Sequence, residues 1–403
     1  MPGTSTGRMR RVLHRLRGRL GGAGVALVAA SVLIATHPQA PAVAGGRTKQ
    51  WVRVIAPGLT LTRIVEPKAP RRIYVLTVDP REDVTLDVAL AQDRLGAIER
   101  TSSMAARHGA LAAVNGDFGS SSGRPAHPYA EDGELVQTSR VLGTLLTIAD
   151  DETVRIVQPR VSAEVLEADT GERWAISRWN QGPPALGELA AFTDVGGSEE
   201  SPPAFACNAR LVPAGAPRVE DSAVSLAHTV DRVECDGDGM AVAGGLVLSA
   251  QPGTEEAVFL RSLTPGEALT VSWSVGSPRA LDAIGGVPML VADGRIVLGP
   301  CTTSFCRRHP RTAAGVTADG RVLLVAVDGR QPKWSVGMSL GELARFMLRL
   351  GARWAVNLDG GGSTTVWVQG EVVNRPSGGS ERAVTNALLV LPGPDPGEAR
   401  LAW

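Results

Sequence analysis

The amino-acid sequence predicts an α+β protein with a mixed, strand-rich sheet core and few helices. Short apolar runs bounded by Gly, Pro and Asp recur along the chain, a pattern that is typical of β-strands joined by turns. Aromatic residues make up only 4% of the 403 residues, and Ala, Val, Leu and Gly are abundant. This composition indicates an aliphatic core built from packed sheets.

The turns between apolar runs predict individual strands and hairpins. Asp319-Gly320 and Asp293-Gly294 each lie between two apolar runs and have the composition of tight hairpin turns. Strands are predicted at residues 72–78, 84–90, 110–114, 246–248, 268–275, 312–317, 321–327 and 354–358, and on either side of Asp293-Gly294 between Met289 and Val297.

The clearest helix lies between Gly337 and Gly351. Ser339 can cap its first turn while Glu342 reaches back to complete a capping box. Gly351 then ends the helix in a left-handed conformation. The apolar face is formed by Leu340, Leu343, Ala344, Met347 and Leu350, which recur at the spacing of one helical face.

Residues 1–44 are predicted to be a signal peptide. They carry six arginines and no acidic residue, and Ala42-Val43-Ala44 offers a cleavage site. The apolar run 20–35 is shorter than the roughly 20 residues of a spanning helix, so a retained membrane anchor is the less favoured alternative. Arg10-Arg11 also permits twin-arginine export. We therefore expect a protein of the cell envelope or the secreted fraction, without stable membrane insertion after cleavage.

The charge balance limits the class of partner. Without the leader, 35 basic and 41 acidic residues remain, which is not the positive footprint of a nucleic-acid-binding or anionic-membrane-binding protein. The expected partner is a small molecule or a glycan. About 359 residues suffice for one large or two ordinary domains.

Four cysteines follow the leader: Cys207, Cys235, Cys301 and Cys306. An even number in an exported protein favours disulfides, for which three connectivities exist. The two local pairs, Cys207 with Cys235 and Cys301 with Cys306, are the simplest. A zinc site is the alternative, although neither spacing is C-x-x-C and no histidine pair lies nearby.

Three apolar strands end in polar, glycine-containing turns. The turns are Asn115-Gly116-Asp117, Asp328-Gly329 and the longer Asp359-Gly360-Gly361-Gly362-Ser363-Thr364-Thr365. Polar groups at strand ends are held by a rigid scaffold yet open to a cleft, which predicts a binding site there. Asp-Gly and Asn-Gly are also ordinary turn formers, but a simple turn does not need three glycines.

A basic cluster precedes one of these strands. It contains Arg307, Arg308, His309 and Arg311, and a guanidinium held there could bind an anionic oxygen pair bidentately. A solvated surface cluster is the alternative interpretation. Arg382, which lies before the apolar run 387–391, is a second candidate.

Together these stretches resemble the phosphodiester glycosidase family. Weaker likeness runs through Trp179-Asn180, residues 285–288 and the capped helix, so the resemblance extends from about residue 110 to residue 390. One departure is that Gly119 and three serines follow Phe118, where family members often carry a second aromatic residue. The matching runs are 113–118, 308–313, 327–330, 357–365 and 381–387.

The resemblance implies a hydrolase that cuts the anomeric C–O bond of a sugar-1-phosphodiester, or of another phosphate-containing glycan, without a cofactor. We expect a phosphodiester glycosidase domain at residues 110–392, preceded by accessory strands at 45–109 and followed by a tail at 393–403. The predicted catalytic residues are Asp359, Asp117 and Arg311. The predicted substrate-binding residues are Asn115, Gly116, His309, Asp328, Gly360, Gly361, Gly362, Ser363, Thr364, Arg382 and Asn386.

Three alternatives remain open on the residues alone. A calcium ion among Asp117, Asp328 and Asp359 is one, although their spacing matches no EF-hand loop. A non-catalytic module that binds cell-envelope glycans could use the same cleft. A phosphodiesterase that cuts the P–O bond is the third.

Overall fold

The computed structural model describes residues 47–393 except 142, 159, 198–200, 236 and 238. The predicted signal peptide and most of the predicted tail lie outside these residues. Within them the chain forms four groups of strands. The largest open one, sheet A, has eight strands in the order β1 (Lys49–Ala56), β2 (Leu59–Glu66), β3 (Arg71–Val78), β22 (Val322–Val327), β21 (Arg311–Thr317), β23 (Ala352–Asn357), β19 (Met289–Ala292) and β20 (Arg295–Ile296).

Sheet B lies alongside and contains both early and late segments of the chain. Its last strand in sequence pairs with two early strands, so this sheet joins residues about 300 positions apart. All its pairings are antiparallel. The strand order is β25 (Glu371–Val372), β24 (Val366–Val368), β5 (Ala112–Asn115), β26 (Asn386–Pro392) and β4 (Val84–Leu90).

The middle of the chain forms a third sheet and a barrel. Sheet C has the order β7 (Glu134–Gln137), β6 (Tyr129–Glu131), β18 (Ala280–Gly286), β8 (Thr144–Ala149) and β9 (Val154–Val157). The strand order of the barrel is β13 (Cys207–Pro213), β16 (Leu246–Ala250), β12 (Leu189–Thr193), β11 (Arg173–Trp179), β10 (Ser162–Glu167), β17 (Ala268–Ser274) and β15 (Val224–Cys235), with β14 (Arg218–Val219) beside β15. The barrel closes because β13 pairs with both β16 and β15.

Three α-helices accompany these strands in the described part of the chain: α1 (Thr101–Arg107), α2 (Glu255–Ser262) and α3 (Leu340–Arg349). In α3 the Ser339 hydroxyl accepts a hydrogen bond from the Glu342 amide, and the Glu342 carboxylate accepts one from the Ser339 amide. Its buried face packs with Ile73, Val325 and Ala355 of sheet A. Helix α3 therefore covers one face of that sheet.

The two largest hydrophobic clusters of the described residues connect the sheets and the barrel. One joins sheets A, B and C through aliphatic side chains such as Leu76, Val114 and Ile284. The other fills the barrel and extends to sheet C, and it contains Trp179, Trp273 and Phe259. Burying aliphatic side chains of this kind stabilises a fold by roughly 1.5–3 kcal/mol each relative to exposure.

The predicted fold class, both hairpins and the capped helix are confirmed. Gly351 has the expected positive φ of 93° just beyond α3. Strands of residues 45–109 are hydrogen-bonded to late strands, β3 to β22 and β4 to β26. The proposed division at residue 110 stays a prediction.

Both predicted disulfides form in the local pairing, Cys207 with Cys235 and Cys301 with Cys306. The first joins directly paired residues of β13 and β15 in the barrel, and the second closes a short loop before β21. Among the described residues, no helix is long and apolar enough to span a membrane. The disulfides fit an oxidising compartment.

The first testable prediction concerns Glu342. Its carboxylate accepts hydrogen bonds from Arg308 and Arg71 at 2.7 and 2.6 Å, and the bond from Arg308 is the main cause that lowers its pKa to about 2. Because the unfolded value is higher, this carboxylate stabilises the fold above about pH 4.5, and the stabilisation is lost as pH falls towards 2.

We expect Glu342→Gln to cost about 1–3 kcal/mol at neutral pH and to lower the melting temperature by a few degrees. The difference between variant and parent should shrink as thermal melts are repeated towards pH 2. Glu371→Gln, at an exposed position of β25, is the matched control. A deficit that stays constant with pH would contradict the assignment.

Candidate active site

The candidate site lies where strands of sheets A and B end side by side. Strands β5, β22 and β23 end there in Asn115, Val327 and Asn357, while β21 and β26 begin there at Arg311 and Asn386. Antiparallel pairing of β21 with β22 and β23, and of β26 with β5, brings these ends to one edge. The polar ends of these strands therefore lie close together, and the binding site predicted there stays a prediction.

Asn115 joins the two sheets. Its side chain is fully buried, and its Oδ1 accepts hydrogen bonds from Thr312 Oγ1 at 2.7 Å and from the Thr365 amide at 3.1 Å. Its Nδ2 donates to the Asp359 carbonyl at 2.7 Å. The Asp359 amide in turn donates to the Gly116 carbonyl at 3.0 Å. Asn115 thus positions the backbone of Asp359 rather than offering free polar atoms to a ligand.

The Asp359 carboxylate reaches the surface of the site. Its side chain is 18% exposed and accepts hydrogen bonds from the Gly360 amide at 2.9 Å, from Arg382 Nη2 at 3.0 Å and from Ser363 Oγ. Burial raises the pKa of Asp359 above the usual value for aspartate, although these donors oppose the shift. A partly exposed carboxylate with a raised pKa is a suitable proton acceptor.

Arg382 is the exposed partner of this carboxylate. More than half of its side chain is exposed, and its guanidinium also donates to Ser363 Oγ. The preceding residue, Glu381, accepts hydrogen bonds from the Ser102 amide and hydroxyl in the first turn of α1, at 2.8 and 2.6 Å. This contact fixes the loop that carries Arg382, while the guanidinium itself stays accessible.

A close backbone contact at Gly360 and a positive φ at Gly361 require glycine at two of the three positions after Asp359. A Cβ added at Gly360 would lie 2.6 Å from the Pro310 carbonyl oxygen, and Gly361 has φ 62°. A Cβ at Gly361 would lie 3.1 Å from both terminal nitrogens of Arg330, and one at Gly362 would lie 3.5 Å from Arg382 Nη1. The loop therefore brings its backbone against two guanidinium groups.

Asp117 is placed differently from Asp359. Its side chain is buried, and its two oxygens accept hydrogen bonds from His127 Nδ1 at 2.6 Å and from the His127 amide at 3.0 Å. Glycines enclose the imidazole, because a Cβ at Gly143 or Gly285 would lie 2.3 or 2.2 Å from His127 atoms. These contacts favour a role for Asp117 in positioning His127, not in contacting a sugar directly.

Asp328 is also internal. Its Oδ2 accepts from Trp334 Nε1 at 2.8 Å, and its Oδ1 accepts from Asn374 Nδ2 and from the Arg375 amide at 3.1 Å. Burial raises the pKa of Asp328, and the donors oppose the shift. This carboxylate holds two neighbouring loops together, which is a structural use of the Asp-Gly turn.

The position of Arg311 does not suit the anion-binding role predicted for it. It is 2% exposed, and its guanidinium donates to the backbone carbonyls of Met338, Phe305 and Arg307. Burial, followed by the charge of Arg330, lowers its pKa to about 10. The buried position leaves Arg311 poorly placed to bind a substrate phosphate, because its donors face backbone oxygens.

The remaining predicted residues surround this centre. His309 Nε2 lies 2.8 Å from the Ser304 carbonyl, while its Nδ1 accepts a 3.4 Å bond from Arg330 Nε. Thr364 lies 3.5 Å from the Thr312 hydroxyl. Asn386 Oδ1 accepts from the Asp117 amide at 2.8 Å. A Cβ at Gly116 would lie 2.4 Å from that oxygen, which explains why the turn requires glycine.

Five buried polar atoms at these strand ends have no hydrogen-bond partner among the described residues. They are His127 Nε2, Asn357 Oδ1, Thr365 Oγ1, Thr385 Oγ1 and Asn386 Nδ2. Since buried polar groups are normally hydrogen-bonded, these five atoms could accept or donate to a polar ligand or ordered water.

The proposed calcium triad is not assembled. Among the described residues, one group of three side chains has its possible metal-ligand atoms within 4.8 Å of one another, namely Asp87, Asp132 and Asp282. These are not the three aspartates at the strand ends. Asp117, Asp328 and Asp359 instead hold separate sets of hydrogen-bond donors.

Sequence reasoning missed His127 and Arg330 as site residues. Arg330 follows Asp328-Gly329 directly and has φ 58°, which is uncommon for a non-glycine residue. It lay inside a matched motif and could have been selected. His127 is ten residues from Asp117 in the same connection after β5, but nothing in the surrounding sequence distinguishes it.

Parts of this chain are similar to known proteins. Residues 221–391 match the model of the phosphodiester glycosidase family. The SPbeta prophage-derived uncharacterized protein YomE of Bacillus subtilis (strain 168) is 39% identical over 83 residues, which are 21% of this chain and 13% of that protein. The N-acetylglucosamine-1-phosphodiester alpha-N-acetylglucosaminidase of Bos taurus is 28% identical over 161 residues, 34% of this chain and 29% of the relative.

Solved structures show the same fold over most of the chain. A Burkholderia pseudomallei K96243 protein described as exported has a TM-score of 0.62 at 22% identity, covering 87% of this chain and 97% of its own. A hypothetical protein from Synechocystis has a TM-score of 0.61 at 20% identity, covering 83% and 62%. The curated relatives are matched over less than a third of their length. The resemblance noted in the sequence is confirmed.

The second testable prediction concerns the structural role of Asp328. We expect Asp328→Asn to lower the melting temperature by several degrees, because the amide would turn an N–H group towards buried donors. An unsatisfied buried group of this kind costs about 1–3 kcal/mol. Asp319→Asn, in an exposed hairpin turn, should leave the melting temperature nearly unchanged. Equal melting of both variants and the parent in calorimetry would contradict a structural role for Asp328.

Proposed function

We propose that this chain, whose residues 221–391 match the phosphodiester glycosidase family model, hydrolyses the anomeric C–O bond of a sugar-1-phosphodiester and releases the sugar and a phosphate monoester. The observation that carries the proposal is the partly exposed Asp359 carboxylate at the end of β23, in contact with the exposed guanidinium of Arg382. A carboxylate and a cation at one surface suit a substrate that joins an anomeric carbon to a phosphate.

The phosphate is assigned to an anion clamp formed by Arg330 and Arg382. Both guanidinium groups lie against the backbone of Gly361 and Gly362. A phosphate bound there would contact two positive charges, and no glycine side chain would block it. A phosphate monoester has a second pKa of about 6, and it leaves with little proton donation. Charge stabilisation by the clamp then replaces the strong general acid of ordinary glycosidases. This assignment moves the clamp from Arg311 to Arg330 and Arg382.

Asp359 is assigned to the sugar side of the bond. In the simplest mechanism, Asp359 accepts a proton from water as the water oxygen attacks the anomeric carbon. The bond between that carbon and the phosphate oxygen breaks, and its electron pair goes to the oxygen. The raised pKa strengthens Asp359 as a base. Attack by the carboxylate itself, followed by hydrolysis of the glycosyl intermediate, also releases the sugar and the phosphate monoester, but with the opposite configuration at the anomeric carbon. Asp117 is assigned the role of a positioning residue, because its carboxylate holds His127 in place.

The proposed substrate class and location follow from separate observations. The bovine relative is named for an N-acetylglucosamine-1-phosphodiester, so the methyl diester of N-acetylglucosamine 1-phosphate is a sensible first substrate to assay. Other sugar-1-phosphodiesters and phosphate-containing glycans complete the screen. Two disulfides support a site of action outside the cytoplasm, and the predicted signal peptide supports export.

The third testable prediction is that Asp359→Asn lowers turnover at least about a hundredfold, the usual scale for a positioned acid or base. The melting temperature should stay within a few degrees, because asparagine keeps the size and the turn preference. Asp293→Asn is the matched control, since Asp293 also precedes a glycine in a turn but lies 65% exposed in a hairpin of sheet A. Activity retained in Asp359→Asn would leave Asp359 as a turn residue only.

The fourth testable prediction identifies the bond that breaks. In water enriched with ¹⁸O, we expect the label in the released sugar and none in the phosphate monoester, as measured by mass spectrometry of both products. Label in the phosphate would instead show P–O cleavage by a phosphodiesterase. Binding of the diester without any turnover would support a glycan-binding module.

A further inference from the structure

A short disulfide-closed loop before β21 presents an aromatic side chain beside the candidate site. Cys301 and Cys306 are bonded across five positions, and a 3-10 turn covers Ser304–Cys306. Phe305 in this turn is 38% exposed. Its ring centroid lies 5.9 Å from that of Phe118, with the rings tilted by 59°. Phe118 follows Asp117 directly and is itself only partly buried.

Arg311 holds this loop from the interior. Its Nη2 donates to the carbonyl of Phe305 and, at 2.7 Å, to that of Arg307, so the two bonds bracket Cys306. Its Nε donates to the Met338 carbonyl at 3.0 Å, and the guanidinium carbon lies 5.4 Å from the Phe305 ring centroid. Only a planar group with several fixed donors makes these bonds together.

The same arginine also borders the loop after Asp359. A Cβ added at Gly360 would lie 3.5 Å from Arg311 Cα, and the Gly361 amide donates to the Pro310 carbonyl at 3.0 Å. The turn that carries Phe118 also contacts this loop, since the Asp359 amide donates to the carbonyl of Gly116, two residues before Phe118. The aromatic pair is therefore tied to the Asp359 loop from both directions.

We propose that Phe305 and Phe118 form an aromatic wall that stacks on the apolar C–H face of the substrate's sugar ring, and that Arg311 and the Cys301–Cys306 bond are positioning groups for Phe305. The inference rests on the proposed function, because it places the sugar whose anomeric carbon faces Asp359. Aromatic side chains commonly line ligand sites, and a phenyl ring held on a braced loop loses little conformational entropy on binding.

The test begins with Phe305→Ala and its matched control Phe205→Ala. Phe205 is 59% exposed and lies two residues before the disulfide-bonded Cys207 of the barrel, far in sequence from the site. The probe is the methyl diester of N-acetylglucosamine 1-phosphate. We expect Phe305→Ala to raise its KM about fivefold to tenfold, the range for an aromatic contact, with kcat changed less than about twofold and Phe205→Ala matching the parent.

Arg311→Lys tests the positioning role. It should raise KM in the same direction as Phe305→Ala, and adding it to Phe305→Ala should produce little further increase, because both changes remove one contact. Melting temperatures are recorded for every variant. Fully additive KM effects, or a loss of kcat with KM unchanged, would show that Arg311 does not act through Phe305.

Binding to the Asp359→Asn variant separates this inference from the proposed function. Turnover by the parent decides whether the chain is a glycosidase, while the Kd of the same probe for Asp359→Asn, with and without Phe305→Ala, is measured by calorimetry. A fivefold or greater weakening on removal of Phe305 supports the aromatic wall even without turnover. Binding that does not depend on Phe305, or no binding of the probe, overturns it even if turnover is seen.

Discussion

The buried side chain of Asn115 is the constraint on which the site depends. One amide group accepts from Thr312 and the Thr365 backbone and donates to the Asp359 backbone, so it connects β5 of sheet B with β21 of sheet A and the loop after β23. An aliphatic residue there would leave these partners buried and unpaired, at about 1–3 kcal/mol for each. The polar network therefore fixes how the ends of two sheets meet.

The same residue pair, Asp-Gly after a buried strand, serves two purposes in this fold. At Asp328 the carboxylate is enclosed by neutral donors from Trp334, Asn374 and the Arg375 backbone. At Asp359 one of the donors is the exposed guanidinium of Arg382. The difference lies in what surrounds each carboxylate, because Asp359 is partly exposed and its counter-charge, Arg382, is more than half exposed.

Local features of this protein could be predicted from sequence, because they depend on neighbouring residues. The Ser339–Glu342 capping box, the Asp319-Gly320 hairpin and the strand ends carrying Asn115 and Asp359 are of this kind. The environment of each side chain could not be predicted. Arg311 is buried against carbonyls and Arg330 lies at the glycine loop, and only the packing of distant strands decides which arginine faces outward.

The position of β26 has a consequence for how the chain acquires its structure. This strand, residues 386–392, lies between β4 and β5 and supplies Asn386 to the site. Until it is in place, β4 and β5 each have an unpaired edge, and such edges promote association with other chains. Pairings between residues this far apart also form slowly. Residues 386–392 must therefore be synthesised before sheet B can be completed. A chain interrupted earlier would expose the unpaired edges of β4 and β5 and would lack Asn386 of the candidate site.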